Sequence, residues 1–410
     1  MSEVMVVIDR PLYLKKLDAW KDRDVIKVIT GVRRCGKSTL MTLWKQRLID
    51  EYGIDPSSIV HINLELLENE TLLEYHRLYG EILHRLDSSV GQRYVLLDEI
   101  QNVPDFQKTL DSLQARGDMD IYVTGSNATL LSGTLATLIS GRYVEIAMTP
   151  LSFAEYMGAA PVQGKTPQRA WSEYLHDGAL PATLALAGDE SLLHDYLDGI
   201  LSTVLFKDVA ARLGLSNMAA LETITRYMFG NIGNLTNPKA IANAMTSSGM
   251  KISAPTVSNY LEGLGAAFIF YPVQRYDIKG KRALRQERKY YAVDLGMRRV
   301  LCSGNVRDTG RLLENVVFLE LMRREGEVYV GQSASGEIDF VTNGATGRRY
   351  YQVSESVHDP NTLERELSSL RVIRDNYPKT LITLDDERPV SHEGIQQIYA
   401  LDWLLSGEVK

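Results

Sequence analysis

Gly31-Val-Arg-Arg-Cys-Gly-Lys-Ser-Thr39 decides the fold, because it matches the phosphate-loop pattern G-x-x-x-x-G-K-[ST] at every defined position. The preceding Lys27-Val-Ile-Thr30 is typical of the end of a strand, and the segment from Leu40 to Leu48 predicts a helix. A loop between a strand and a helix directs backbone N–H groups and the helix N-terminus towards one point, where an anion binds. The stretch therefore predicts an α/β fold with a triphosphate site.

The residue types within the loop suit this chemistry. Its glycines permit a tight turn and a close approach of phosphate, since they lack a Cβ atom. Lys37 is expected to reach the β- and γ-phosphates, and the Ser38 hydroxyl is expected to hold Mg²⁺. ATP and Mg²⁺ are therefore the predicted bound groups. The predicted ATP-binding residues are Gly31, Arg34, Gly36, Lys37, Ser38 and Thr39.

Length, charge and cysteine content narrow the class of protein. A chain of 410 residues is too long for one ordinary core, which predicts two or three domains. The net charge of −7 argues against a protein coated in nucleic acid but allows a local basic patch. Two cysteines give no disulfide framework, and the sequence shows neither a signal-like start nor a long apolar run. These features predict a cytoplasmic protein without a membrane span.

A second motif, Arg93-Tyr-Val-Leu-Leu-Asp98-Glu99, is a continuous apolar run that ends in two carboxylates. Such a run is typical of a strand buried on both faces. Downstream of a phosphate loop, Asp98 is expected to hold the Mg²⁺ shell, and Glu99 to orient and deprotonate the attacking water. Taken without the loop, the pair would instead indicate an exposed acidic turn.

Polar residues also lie beside the next two predicted strands. The strand from Met119 to Thr124 is followed by Ser126 and Asn127, either of which can bond the attacking water or the γ-phosphate, or cap a helix. Arg142 enters the following strand. There it either stabilises transition-state charge on its own or a neighbour's nucleotide, or forms a salt bridge at the strand edge.

These motifs together resemble the prokaryotic AAA-type ATPases with a DUF4143 C-terminal region, the AAA_14/DUF4143 family. The resemblance rests on the phosphate loop, Leu-Leu-Asp-Glu-Ile-Gln, Thr-Gly-Ser-Asn, and Ser-Gly-Arg followed by Thr149-Pro-Leu-Ser-Phe-Ala-Glu155-Tyr. It extends over nearly the whole chain, and its last segment is the most specific part.

The resemblance implies an AAA+-like phosphate-loop core, with a parallel sheet and helices on both faces. A winged-helix domain and a restriction-endonuclease-like α/β domain are implied after it, together with a homo-oligomeric ring, most simply a hexamer. By analogy, Arg142 is expected to be the arginine finger, and Asn63 the polar residue that holds the catalytic glutamate until a ligand binds. The predicted catalytic set is Lys37, Glu99, Arg142, Ser126 and Asn63.

Four parts of the chain are predicted on this basis. They are the ATPase core at 1–150, a helical lid at 151–215, a winged helix at 216–300 and a nuclease-like domain at 301–410. Within the core, residues 1–24 precede the first strand. Their helix either covers the nucleotide base or simply packs at the N-terminus.

The predicted winged helix carries a helix-turn-helix pattern, with a short helix from Lys239 to Ser248 and a second from Ser253 to Leu264. Predicted strands at 266–274 and 289–293 then flank a charged connection. That connection, residues 275–289, has seven basic and two acidic residues and hence a net charge of +5.

A basic hairpin of this kind indicates a DNA backbone as the ligand. The alternative is a protein–protein module with a solvated charged loop. The predicted DNA-contacting residues are Thr256, Ser258, Asn259, Lys281, Arg282 and Arg285.

The last region partly matches the restriction-endonuclease pattern, which needs a helix Glu, a strand Asp and a Glu-x-Lys in the next strand. Glu314 and Asp339 match, but Gln352 replaces the second acid and Ser354 replaces the lysine. With one Mg²⁺ ligand and the lysine missing, an inactive nuclease-like domain is expected.

The sequence thus predicts an ATPase that couples ATP turnover to DNA binding or remodelling, with branched or recombining DNA as one candidate substrate. Two other functions compete with it. One is a nucleotide-gated switch that recognises a protein partner in defence or signalling, and the weaker one is an ATP-dependent nuclease. The sequence leaves open the ring size, the preferred DNA structure and the pathway.

Overall fold

The computed structural model describes residues 8–89, 91–128, 141–215, 217–280, 282–302, 308–333, 336–344 and 347–406, without the side chains of 282–286. The chain divides into two compact units. The first comprises Met1–Pro150 with Ala266–Phe268, and the second comprises Leu151–Gly265 with Ile269–Lys410. The four-part division drawn from the sequence is finer than this and stays a prediction.

The first unit contains one five-stranded sheet. Its strands are β1 (Ile26–Thr30), β2 (Ile59–Asn63), β3 (Arg93–Asp98), β4 (Met119–Gly125) and β5 (Tyr143–Ala147). Its α-helices are α1 (Pro11–Trp20), α2 (Lys37–Asp50), α3 (Tyr75–Arg85) and α4 (Phe106–Arg116), with 3₁₀ turns at Pro56–Ser58, Leu67–Leu72 and Ile100–Asn102. The strands are all parallel, in the order β2-β3-β4-β1-β5.

Burial of the central strands explains their sequences. All residues of β1 and β4 are buried, as are those of β3 after Arg93, so apolar side chains are needed on both faces. Helix α2 packs against β2 and β3. The predicted α/β fold with a parallel sheet is confirmed.

The strand order determines where a site can form. β1 lies between β4 and β5, and β4 separates it from β3. The chain leaves β1 for the far edge of the sheet at β2, so the direction of winding changes next to β1. In open α/β sheets, ligands bind at the carboxyl ends of the strands at such a point.

The second unit begins with helices. These are α5 (Phe153–Gly158), α6 (Pro167–Asp177), α7 (Glu190–Thr203), α8 (Ala211–Leu213), α9 (Met218–Gly230), α10 (Pro238–Ser247), α11 (Ala254–Ala266), α12 (Leu295–Leu301), α13 (Thr309–Glu325), α14 (Pro360–Arg371) and α15 (Ala400–Leu405). A π-helical segment, Val204–Ala210, joins α7 to α8, and 3₁₀ turns occur at Ala160–Val162 and Pro181–Leu186.

The strands of this unit form one mixed, nine-stranded sheet. They are β6 (Leu235–Thr236), β7 (Phe270–Asp277), β8 (Arg282–Ala292), β9 (Val328–Ser333), β10 (Gly336–Gly344), β11 (Gly347–Ser354), β12 (Lys379–Thr383), β13 (Val390–His392) and β14 (Ile395–Tyr399). Their order is β13-β14-β12-β11-β10-β9-β7-β8-β6. The hairpin β7–β8 and the C-terminal strands therefore share a sheet, because β7 pairs in parallel with β9.

The charged segment 275–289 is not the connection that the sequence predicts. Most of it belongs to β7 and β8, which continue to Asp277 and resume at Arg282. The predicted strand at 266–274 also begins too early, since α11 extends to Ala266 and β7 begins at Phe270. Side chains of successive strand residues lie on opposite faces of a sheet, so a strand can carry charged residues on one face, which a count of charges does not show.

A close contact at Gly178 stabilises the second unit. The buried Asp294 carboxylate accepts backbone N–H groups from Ala179 at 2.6 Å and Met297 at 3.1 Å, and so caps α12. A Cβ at Gly178 would overlap this carboxylate, and Gly178 has φ +82°. The position of the Asp294 carboxylate therefore requires glycine at position 178.

We predict that Gly178→Ala lowers the free energy of unfolding of the second unit by about 3 kcal/mol. The matched control is Gly164→Ala, because Gly164 also has φ +82° but a Cβ there would meet no atom within 4 Å. The control should lose only the backbone contribution, about 1 kcal/mol. Denaturant titration of both variants measures the difference, and equal losses would contradict the role of the Asp294 contact.

Candidate active site

The phosphate-loop segment connects β1 to α2 as predicted. Gly36 is the N-cap of α2 and Lys37 its first residue. A Cβ at Gly31 would overlap the carbonyl oxygen of Met148, so only glycine fits there. Ser38 and Arg34 are exposed, and Thr39 is half-buried. The loop therefore leaves its polar groups open on the carboxyl side of the sheet.

Lys37 points back into this loop. Its Nζ donates to the carbonyl oxygens of Gly31 at 3.0 Å and Val32 at 3.3 Å, and lies 3.5 Å from Glu99 Oε1. The residue is only 4% exposed. A buried ammonium held by carbonyl oxygens and one carboxylate is well placed to compensate further negative charge.

Asp98 lies at the end of β3 and is 1% exposed. Its Oδ1 accepts a hydrogen bond from the Thr124 hydroxyl. Its Oδ2 is buried without a hydrogen-bond partner among the described residues. An open carboxylate oxygen is a ligand that Mg²⁺ prefers, so the residues present fit this ion.

Glu99 has a backbone conformation that is rare for a residue with a side chain. Its φ of 54° and ψ of 50° lie in the left-handed region. The Thr124 hydroxyl stabilises this turn by accepting the Glu99 N–H at 2.9 Å. Such strained residues concentrate at functional sites, where the surrounding structure stabilises them.

The pKa of the Glu99 carboxyl reflects opposing effects. Burial by itself raises the pKa, but the charge of Lys37 and a hydrogen bond from Gln101 outweigh burial and hold the pKa below its ordinary value. Glu99 is therefore ionised at neutral pH, which a general base requires.

Of the two residues predicted to bond the attacking water or the γ-phosphate, Ser126 lies next to Gln101. It is buried after the end of β4, and Gln101 Nε2 lies 3.5 Å from its hydroxyl. Asn127 is half-buried at the next position. The geometry favours Ser126, whose role stays a prediction.

Asn63 does not hold Glu99 in this structure. It pairs with Asp98 in the register of β2 and β3, but its Oδ1 accepts the N–H of Glu65 at 2.9 Å. Gln101 donates a hydrogen bond to the Glu99 carboxylate instead. The family analogy assigns Asn63 by its position in a motif, and a motif does not include the local turn in which Asn63 bonds Glu65.

Arg142 is exposed and lies at the amino end of β5, whereas the phosphate loop follows the carboxyl end of the parallel strand β1. Its carbonyl oxygen accepts the N–H of Ile26, the first residue of β1. At a rise of about 3.3 Å per residue, the length of β1 places it about 16 Å from the loop. One side chain does not span that distance, so Arg142 does not reach the loop of its own chain.

The sequence motifs do not identify three residues that contact the candidate site: Arg10, Tyr13 and Thr124, the last of which bonds Asp98 and Glu99 as described above. The buried Arg10 guanidinium donates to the carbonyl oxygens of Cys35 at 3.0 Å and Thr149 at 2.7 Å. The Tyr13 hydroxyl bonds the Thr149 side chain at 3.1 Å. Arg10 and Tyr13, at the start of α1, therefore pack against the phosphate-loop segment and Thr149. In the sequence, the arginine just before α1 is the feature that could have indicated this contact.

The predicted DNA-contacting residues are only partly described. On α11, Asn259 is exposed, whereas Thr256 and Ser258 are half-buried, and the Thr256 hydroxyl bonds Ser253 at 2.7 Å. Lys281 and the side chains of Arg282 and Arg285 lie outside the described part of the chain.

Among the basic residues of segment 275–289 whose side chains the structure describes, Arg275 and Lys289 are engaged within the protein. Arg275 lies 3.2 Å from the Glu287 carboxylate. Lys289 is buried and lies 3.1 Å from Glu314 and 2.6 Å from Glu337. The net charge counted from the sequence therefore overstates the charge that this hairpin offers to a ligand.

Each of the nuclease-like residues forms a hydrogen bond within the second unit. Glu314 accepts from the Tyr291 hydroxyl at 2.6 Å, and Asp339 accepts the Val353 N–H at 2.8 Å. Gln352 donates to Glu366 at 2.9 Å, and Ser354 donates to a backbone carbonyl. Within the described residues, no three His, Cys, Asp or Glu side chains are grouped to hold a metal ion.

Comparison with known proteins extends these observations. A family model described as an AAA domain matches residues 23–157, and one described as a domain of unknown function, DUF8612, matches residues 168–308. The predicted AAA type is confirmed, whereas the DUF4143 label is not.

Solved structures similar to this chain include one with DNA and one with a nucleotide. The Aeropyrum pernix ORC1 protein in complex with DNA is 13% identical, with a TM-score of 0.34 over 72% of this chain and 93% of that one. AMPPCP-bound DnaA from Aquifex aeolicus is 13% identical, with a TM-score of 0.32 over 61% and 85%. Scores this low support no statement about function or partners.

No described helix is long and apolar enough to cross a membrane.

Two relatives match over most of their length. An uncharacterized protein of Haemophilus influenzae is 40% identical over 99% of this chain and 100% of its own. The uncharacterized protein MJ1544 of Methanocaldococcus jannaschii is 30% identical over 93% of this chain and 86% of its own. The chain therefore belongs to the same family as these two proteins, a family with an N-terminal AAA domain.

Proposed function

We propose that this protein is an AAA+ ATPase that hydrolyses ATP to ADP and phosphate. The observation that carries the proposal is the meeting of Lys37, Asp98 and Glu99 at the carboxyl edge of the parallel sheet, with Lys37 Nζ 3.5 Å from Glu99 Oε1. The AAA match includes all three residues.

In this proposal, residues Gly31 to Thr39 bind the phosphates through backbone N–H groups, and Lys37 compensates their charge. Ser38 and Asp98 hold Mg²⁺, which supplies Lewis-acid stabilisation of the phosphate oxygens when bound. Glu99 removes a proton from a water molecule whose oxygen attacks the γ-phosphorus. The bond from that phosphorus to the β–γ bridging oxygen breaks, and ADP leaves.

Arg142 acts on a neighbouring subunit in this proposal. Its position at the amino end of β5 excludes contact with its own loop, and its side chain is exposed. An exposed arginine that serves the next copy's site needs a head-to-tail contact between subunits, which closes into a ring. A homo-oligomer, most simply a hexamer, is the assembly we propose.

DNA is the partner we propose for the second unit. The support is the helix pair α10 and α11 followed by the hairpin β7–β8, whose sequence contains five basic residues besides Arg275 and Lys289. ATP turnover would then be coupled to DNA binding or remodelling.

A protein partner is the second candidate. The observation in its favour is the pairing of β7 with β9, which covers one edge of the hairpin and makes it part of a larger sheet. A nucleotide-gated switch of this type would show no affinity for DNA at low salt.

We predict that Lys37→Ala abolishes nucleotide binding or hydrolysis, because the phosphates lose their cation. Glu99→Gln should bind ATP but hydrolyse it about 100-fold or more slowly, because it has no base. Phosphate release and binding of a fluorescent ATP analogue measure the two steps separately. A normal rate in Glu99→Gln would show that another group is the base.

For Arg142, we predict loss of turnover in Arg142→Ala and partial recovery on mixing it with Lys37→Ala. Each mixed interface can combine an intact loop with an intact arginine, and a random ring has this arrangement at about a quarter of its interfaces. The ATPase rate of the mixture is the measurement. Mixing without any gain would contradict action between subunits.

For DNA, we predict that changing Lys281, Arg282 and Arg285 together to Glu weakens binding and flattens its salt dependence. The slope of log affinity against log salt should fall by about 1 for each phosphate that the protein no longer neutralises. The control changes three exposed arginines elsewhere in the unit, Arg365, Arg374 and Arg388, by the same charge. Equal effects of both triple variants would argue against a specific contact, and no binding to duplex, single-stranded or junction DNA would favour the protein partner.

A further inference from the structure

Gln101 occupies an unusual position beside the proposed base. It lies in the short 3₁₀ turn that follows Glu99. Its side-chain nitrogen donates a hydrogen bond to Glu99 Oε2 and lies 3.5 Å from the Ser126 hydroxyl. One amide group thus connects the end of β3 with the end of β4.

The orientation of this amide is fixed by Glu99. If the amide were turned over, its oxygen would face a carboxylate oxygen, and two acceptors repel each other. In the orientation observed, Gln101 Oε1 is buried and has no hydrogen-bond partner among the described residues. A buried acceptor without a donor is costly, and such groups in native proteins call for an explanation such as a missing water or ligand.

A water molecule next to Glu99 is the donor that would satisfy this oxygen. The proposed reaction requires a water at that place, since Glu99 has to remove its proton. Two acceptors, Glu99 and Gln101 Oε1, would then fix both hydrogens of one water and leave its lone pairs for attack.

Gln101 provides Glu99 with a hydrogen-bond donor that does not depend on Lys37. In this structure Lys37 pairs with Glu99 at 3.5 Å, but the phosphates need the same ammonium. When Lys37 serves the phosphates, Gln101 remains as a donor that keeps the Glu99 carboxylate in place. Ser126 stands next to the same amide and supports it.

We propose that Gln101 positions both Glu99 and the attacking water in ATP hydrolysis, an inference that rests on the proposed ATPase function. Its N–H group holds the carboxylate, and its buried Oε1 accepts one hydrogen of the water. Nucleotide binding does not involve it.

The test compares Gln101→Met, which removes donor and acceptor at similar volume, with Gln101→Glu, which keeps an acceptor but replaces the donor with a carboxylate. Both should lower kcat by roughly 10- to 100-fold, as misplaced catalytic groups do. Binding of a fluorescent ATP analogue and the KM for ATP should stay within about twofold of wild type, because neither group touches the phosphates.

The separation of kcat from KM is the more specific measurement. Damage to the fold or to the phosphate site lowers nucleotide binding and kcat together, whereas a misplaced base or water lowers kcat alone.

Gln46→Met is the matched control. Gln46 also donates to a carboxylate, that of Asp50 at 2.8 Å, but on the exposed face of α2. It should leave kcat and the KM for ATP unchanged. Gln101 variants with an unchanged kcat would overturn this inference alone, and so would a loss of ATP binding and a lower Tm in parallel with kcat. A wild-type protein without Lys37-dependent hydrolysis would overturn the proposed function and this inference with it.

Discussion

The geometry of the candidate site depends on two hydrogen bonds of the Thr124 hydroxyl. It donates to Asp98 Oδ1 and accepts the backbone N–H of Glu99 at 2.9 Å. One side chain on β4 therefore fixes both carboxylates at the end of β3. Because the strands are parallel, the same edge also carries the loop after β1, so the proposed metal ligand Asp98, the proposed base Glu99 and the phosphate-loop segment lie at one edge of the sheet. The left-handed backbone of Glu99 is tolerable because this hydrogen bond stabilises the turn.

Sequence reasoning can find the groups that follow strands but not the contacts between them. The loop and the Asp98–Glu99 pair are local patterns, and burial of β3 on both faces produces the apolar run that indicates it. Thr124 looks like any β-branched residue in a buried strand, and its role depends on the register with β3. Analogy points to Asn63, yet an Asx turn with Glu65 engages its amide, and Gln101 takes the place at Glu99. Short-range hydrogen bonds decide the outcome, and a sequence motif does not encode them.

The second unit shows the limit of counting charges. The sequence predicts segment 275–289 as a basic connection, but strand pairing directs alternate side chains to opposite faces of the sheet. Lys289 consequently points into the protein, where Glu314 and Glu337 raise the pKa of its ammonium above the ordinary value despite the opposing effect of burial. Lys289 belongs to β8, a strand that the sequence assigns to a different domain from Glu314 and Glu337. Its partners make it a buried ion pair, and removing one partner of such a pair is strongly destabilising.

The electrostatics of Glu99 connect these observations. A buried carboxylate would tend to take up a proton and so lose its capacity as a base, because burial disfavours the charged form. Lys37 and Gln101 counteract burial by different means, one through charge and the other through a hydrogen bond. The lysine also faces the carbonyl oxygens of Gly31 and Val32, so its position depends on the conformation of the loop. A phosphate that engages the loop would change the surroundings of Lys37 and, through it, those of Glu99. In the proposed reaction, nucleotide binding and activation of the base would therefore be coupled through the Lys37 ammonium group, whereas Gln101 belongs to the turn after β3 and not to the phosphate loop.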